Sequence, residues 1–218
     1  MQRTISWQLK TLFGLILNLL SMSLVAQEWH LEKSQEHVQV FTRANVHPQR
    51  NLDYQEILAT TIVSAPSQAL INLLEETAKA PEWIDNCIQV KLLSKKTPYI
   101  NIVQSTFTAP WPLKNRDMVT QSTLHQVGEN IIIDIEDQGD AYPHQHNTVR
   151  MQHVSGRWTI SPKPNGLTEI TYQGSGDPAG NIPDWLANKV LITSTFNTFI
   201  KLTHTLNQNQ DLTHEITD

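Results

Sequence analysis

Two histidines one residue apart, His144 and His146, sit in the polar stretch Asp140-Ala-Tyr-Pro-His-Gln-His-Asn147. An H-x-H pair is a fragment of a metal site, yet a zinc centre needs three or four protein ligands, and spacing identifies no further one. The stretch therefore reads as a solvated loop. Glu136, Asp137 and Asp140 gather just ahead of it, and a solvated strand end explains them as well as acid–base work does. Gly174, Gly176 and Gly180 have the look of a phosphate loop, but no βαβ unit follows them, which removes a nucleotide cradle. They read instead as a sharp turn around Asp177-Pro178. Neither G-x-S-x-G nor H-E-x-x-H occurs. Cys87 is the single cysteine, so there is no internal disulfide and no multi-cysteine metal site; it reads as a small core residue. These residues call for no catalytic centre, metal or cofactor.

The elements that hold such side chains follow from periodicity. Trp29–Lys33 and Val38–Thr42 alternate across a polar Ser-Gln-Glu turn and predict a hairpin, with Tyr54–Val63 as a third strand. Pro66 opens a shorter helix in which Ala69, Leu70, Leu73, Leu74 and Thr77 share a face. Strand patterns then run almost without interruption: 88–92, 99–103, 118–127, 131–135, 149–160 and 167–172. Gly128-Glu-Asn130 and Pro164-Asn-Gly166 supply tight turns, so the strands form an antiparallel meander. Pro183 and Asp184 start a final helix, on which Trp185, Ile192, Phe196, Phe199, Thr203 and Leu206 line one face and Ile200 widens it. A helix of about 25 residues spans roughly 37 Å, enough to cross a sheet.

Composition bounds the class. The 218 residues are 39% hydrophobic and 17% charged, which fits one domain with a real core and excludes both a disordered chain and a multi-span membrane protein. A net charge of -5 gives no basic field for nucleic acid. Residues 1–26 carry Arg3 and Lys10, then an apolar run and small residues, the pattern of a secretory signal. Cleavage after Ala26 or after Ser23 both fit, and an uncleaved anchor is the other reading, opposed by the shortness of the run and by Asn18. Without that segment the chain is more acidic still.

Four landmarks stand in a fixed order: Pro81-Glu-Trp83, Trp111-Pro-Leu-Lys-Asn-Arg-Asp117, Ser155-Gly-Arg-Trp158, and Tyr172 through Asp177-Pro-Ala-Gly-Asn-Ile-Pro-Asp-Trp-Leu-Ala-Asn188. In this order the chain resembles the START (steroidogenic acute regulatory protein-related lipid transfer) family, over about residues 29–206. The resemblance implies an α+β helix-grip fold: a curved antiparallel sheet wrapped around a long C-terminal helix. It also implies a tunnel for a lipid, sterol or similar apolar molecule, opened by the last helix and a neighbouring loop. Sterol-binding members often place an acid and a base on the strands flanking the Arg-Asp pair. Here those strands read Asn101-Ile-Val-Gln-Ser-Thr106 and Met118-Val-Thr-Gln-Ser-Thr-Leu124, without charge, so a sterol is permitted but not specified.

The expectations are then concrete. Residues 27–210 form a lipid-binding domain and 211–218 a polar tail. Gln104, Trp111, Ser122, Trp185, Ile192, Phe196, Phe199 and Ile200 are the cavity and lid candidates, while Arg116 and Asp117 hold the loop through ion pairing and backbone hydrogen bonds. The expected protein is exported, periplasmic in a Gram-negative host and otherwise extracellular, monomeric, and non-catalytic. It takes a lipid or other apolar small molecule, with transient membrane contact and no nucleic acid. The rival reading is a cyclase- or hydrolase-like enzyme on the same fold.

Overall fold

The computed structural model describes residues 28–44 and 54–214, with side chains through 208. The secretory-signal segment 1–26 and the end of the tail lie outside the described residues. No helix among those described is long and apolar enough to cross a membrane.

The chain runs β1 (His30–Gln35), β2 (Val38–Ala44), β3 (Gln55–Val63), α1 (Ser67–Glu75), α2 (Ala80–Trp83), β4 (Cys87–Thr97), β5 (Ile100–Phe107), β6 (Asn115–Val127), β7 (Asn130–Asp137), β8 (Thr148–Arg150), β9 (Gln152–Pro162), β10 (Thr168–Asp177) and α3 (Asp184–His214). One sheet carries the order β1-β2-β3-β10-β9-β7-β6-β5-β4, antiparallel along that whole path. Helix α3 continues through 211–214, the start of the segment read as a tail.

Alternation decides which side of each strand is covered. Val38, Val40 and Thr42 of β2 and Ile57, Ala59, Thr61 and Val63 of β3 are buried, each set on one face. Phe199, Leu202 and Leu206 of α3 are buried with them in one cluster. Thr61 and Thr203 are both buried, and their hydroxyls meet at 2.8 Å, so neither is left unpaired inside the core. Phe199 also stacks on Trp158, with ring centres 5.8 Å apart.

The strand expected over 149–160 is divided. β8 runs parallel to β6, whereas β9 pairs with β7 and β10. Between them the Met151 N–H donates to Asp117 O at 2.8 Å, and just inside β9 His153 takes a left-handed φ of 52°. The local sequence keeps β character across this switch, so periodicity does not reveal it. β4 carries three register shifts against β5; such bulges bend an edge strand, here along one flank of the cavity.

Gly174 differs from its turn assignment. It lies inside β10, directly opposite Gly156 of β9. A Cβ at either position would come within 2.8 Å of the Tyr172 hydroxyl or closer. The two glycines thus clear the bed on which the Tyr172 ring lies, 4.8 Å from Trp158. Ala179, with φ 54°, and Gly180, with φ +73°, together turn the chain towards α3.

Candidate functional site

Between the concave face of the sheet and α3 lies a cavity of about 680 Å³, within the range of small-molecule sites. Its wall follows from alternation. Asn101, Val103, Ser105 and Phe107 of β5 and Arg116, Met118, Thr120, Ser122 and Leu124 of β6 face inward, with the intervening residues on the other side. Ile133, Ile135, Trp158 and Tyr172 form the floor, while Leu186, Val190, Leu191, Ser194, Thr195, Thr198 and Phe199 come from α3. Trp83 and Ile84 close one side.

Of the cavity and lid candidates, Ser122 and Phe199 border this space. Gln104 does not: it sits on the opposite face of β5 and donates from Nε2 to Asp117 at 3.0 Å. Trp111 and Trp185 are 92% and 68% exposed, outside the wall, though Pro110, Leu113 and Leu186 beside them are part of it. Ile192, Phe196 and Ile200 pack against the core cluster instead, and the Lys33 ammonium lies 5.0 Å from the Phe196 ring centre. The most apolar stripe of α3 therefore serves the protein core. The stripe facing the cavity is rotated from it and includes Ser194, Thr195 and Thr198, whose hydroxyls make it faint as a hydrophobic signal.

Arg116 and Asp117 do not pair with each other, because successive strand residues point to opposite faces. Asp117 is wholly buried and accepts from Arg150 Nε at 2.8 Å, Thr148 Oγ1 at 2.8 Å and Gln104. Arg150 also donates to Gly139 O at 2.7 Å and Pro143 O at 2.9 Å, which fastens the loop that carries His144 and His146. The Arg–Asp ion pair exists, but its cation is Arg150, unmarked by any local motif. Arg116 is 7% exposed and borders the cavity. Its guanidinium donates to Pro178 O and Ala179 O, each at 3.1 Å, and to Lys114 O. Burial holds its pKa below the ordinary arginine value, partly offset by Tyr54.

Few ionised groups otherwise reach this space. Glu75 and Lys95 form a half-exposed pair at 3.6 Å. Asp85 accepts from Lys201 at 3.0 Å and Asn197 at 3.2 Å, its N–H donates to Thr198 at 3.0 Å, and Asn86 reaches Ser194 at 2.7 Å. Together they clasp α3 over the cavity. Burial pushes the Tyr172 phenol up to about 12, so it stays neutral at ordinary pH. Asp137 accepts the Gly139 N–H at 2.7 Å and so closes the adjoining turn. Among the described residues no three His, Cys, Asp or Glu are grouped to hold a metal ion.

The comparisons agree with this geometry. The START domain family model matches residues 17–211. The uncharacterized protein PA1579 of Pseudomonas aeruginosa is 29% identical over 175 residues, 80% of this chain and 84% of that protein. Human START domain-containing protein 10 is 26% identical over 162 residues, 74% of this chain but 55% of its own length. A STAR-related lipid transfer protein fragment from Xanthomonas axonopodis superposes with a TM-score of 0.73 at 28% identity, covering 82% of this chain and 98% of that one. With a family model spanning nearly the whole described region, and a curved sheet closed by its last helix over an apolar cavity, the chain belongs to the START domain family.

Proposed function

We propose that the protein is a non-catalytic carrier that encloses one lipid or similar apolar molecule and releases it by lifting α3. The observation that carries this reading is the wall itself, in which Val, Leu, Ile, Met and aromatic side chains are relieved by neutral hydroxyls and amides. Such a surface binds by removing apolar area from water, worth about 25 cal/mol per Å². Acid–base catalysis needs titratable groups converging on one point of an apolar pocket. Glu75 and Lys95 neutralise each other in the open, and Asp85 is engaged by α3. That arrangement supports carriage over a cyclase- or hydrolase-like reaction.

The carrier works outside the cytoplasm, delivered by the 1–26 segment, and meets membranes only in passing. Trp111 and Trp185 favour that contact, since they stand exposed beside the wall residues Pro110, Leu113 and Leu186, and indole is at home at a lipid–water interface. The test is native mass spectrometry of protein purified from its own host, followed by lipid extraction. A stoichiometric apolar adduct is expected. A reproducibly empty protein that also ignores phospholipids, sterols and fatty acids would overturn the proposal.

A further inference from the structure

Resting on that reading, we infer that the carried molecule has an anionic head, a carboxylate or phosphate, seated on Arg116. The described arginines make the contrast. Arg43, Arg150 and Arg157 each hold a carboxylate, at 2.6, 2.8 and 2.6 Å. Arg116 is more buried than Arg43 and borders an apolar cavity, yet among the described residues no carboxylate lies within ion-pair distance of it. Its partners are three backbone carbonyls. Carbonyl dipoles satisfy donors but supply no counter-charge, and a buried ion without one is costly. A guanidinium has five N–H groups, so three carbonyls leave two for another acceptor.

The position fits a head group. Arg116 is the first inward residue of β6, followed along the wall by Met118, Thr120, Ser122 and Leu124. Eight residues of strand measure about 26 Å at roughly 3.3 Å each, a path for an extended tail running away from the charge. At the same end, Pro178 and Ala179 begin the link to α3. A head bound on Arg116 thus sits beside the link that leads into α3. An oxyanion offers a planar fork two acceptors at once, which a neutral ester or alcohol cannot match in charge.

Three probes with the same tail separate the alternatives: hexadecanoate, hexadecyl phosphate and methyl hexadecanoate, titrated into delipidated protein. Wild type is expected to bind one or both anions at least about ten-fold tighter than the ester, and the tighter anion identifies the head. In Arg116→Gln, checked for fold by circular dichroism, the anion-to-ester ratio is expected to fall by about ten-fold. Should that variant not fold, Arg116→Lys, which keeps the charge and loses the fork, should still lower the ratio about three-fold. A lost contact to Pro178 and Ala179 alone would weaken all three probes alike. A ratio unchanged in the folded variant, or a wild type indifferent to charge, overturns the inference and leaves the carrier intact. Failure of all three probes on wild type also overturns the inference, while the carrier reading stands or falls on the native lipid extraction.

Discussion

Asp117 is an anion with no solvent contact, satisfied by Arg150, Thr148 and Gln104. Those donors come from β8 and β5, and Arg150 extends the network to the 139–143 loop, so one carboxylate fixes three segments. Removing the cation leaves the carboxylate buried and unpaired, which typically costs about 3–5 kcal/mol. Arg150→Met should therefore lower the unfolding free energy in urea by about that amount. Adding Asp117→Asn should recover part of the loss, because the orphaned charge goes with it. A single variant within about 1 kcal/mol of wild type would show that the network carries little stability. The Arg-Asp dipeptide was legible in the sequence as a structural device. Its division between two faces follows from strand alternation, but Arg150, more than thirty residues further along the chain, could be paired with Asp117 only once β8 was known to lie parallel to β6.

At the scale of elements, α3 shows why a strong periodicity misleads about a binding face. The stripe through Ile192, Phe196 and Ile200 is its most apolar, and it lies against the core. A helix that must leave a cavity beneath part of itself aims few bulky residues there, Phe199 being shared between core and cavity. Besides Leu186 and Phe199, the cavity receives Val190, Leu191, Ser194, Thr195 and Thr198. Hydrophobic pattern reports burial on folding, not contact with a ligand that arrives later. What keeps α3 down is polar: Asp85 and Asn86, in the turn after α2, bond to Ser194, Asn197, Thr198 and Lys201 on successive turns of the helix. Several of these bonds are exposed or half-exposed, so each is worth little, about 0.2–1 kcal/mol for an ion pair of this kind. A lid held this way can open. Asp85→Ala removes the acceptor shared by Lys201 and Asn197 and should speed release of a bound lipid several-fold, measured by transfer to vesicles in stopped flow, with little change in overall stability. An unaltered release rate would mean that α3 is not the gate.

For the whole molecule, the sheet order joins the first three strands to the last one, so β3 and β10 close the structure around α3 while β4 stays at an edge. The family resemblance implied a curved antiparallel sheet around the last helix but no strand order; the turns predict neighbours, not the long return that brings β10 to β3. The consequence is a protein whose core and cavity share residues: Trp158, Tyr172, Ile133 and Phe199 belong to both. An empty cavity leaves their inner surfaces without packing partners, and a bound apolar molecule supplies them. Ligand binding must then register as folding stability, by RT ln(1 + [L]/Kd), about 2.7 kcal/mol when the ligand is at a hundred times Kd. For a chain of this size each kcal/mol moves the melting temperature by about 2–4 °C. Delipidated protein should accordingly melt roughly 5–10 °C below the same protein refilled with its extracted lipid. Val190→Asp should abolish the refilling shift, because a carboxylate would be set into the wall opposite the sheet. Phe196→Asp, on the packed stripe, should lower the melting temperature of the empty protein as well. Equal melting of full and empty wild type would mean that the cavity is not filled by what the protein carries.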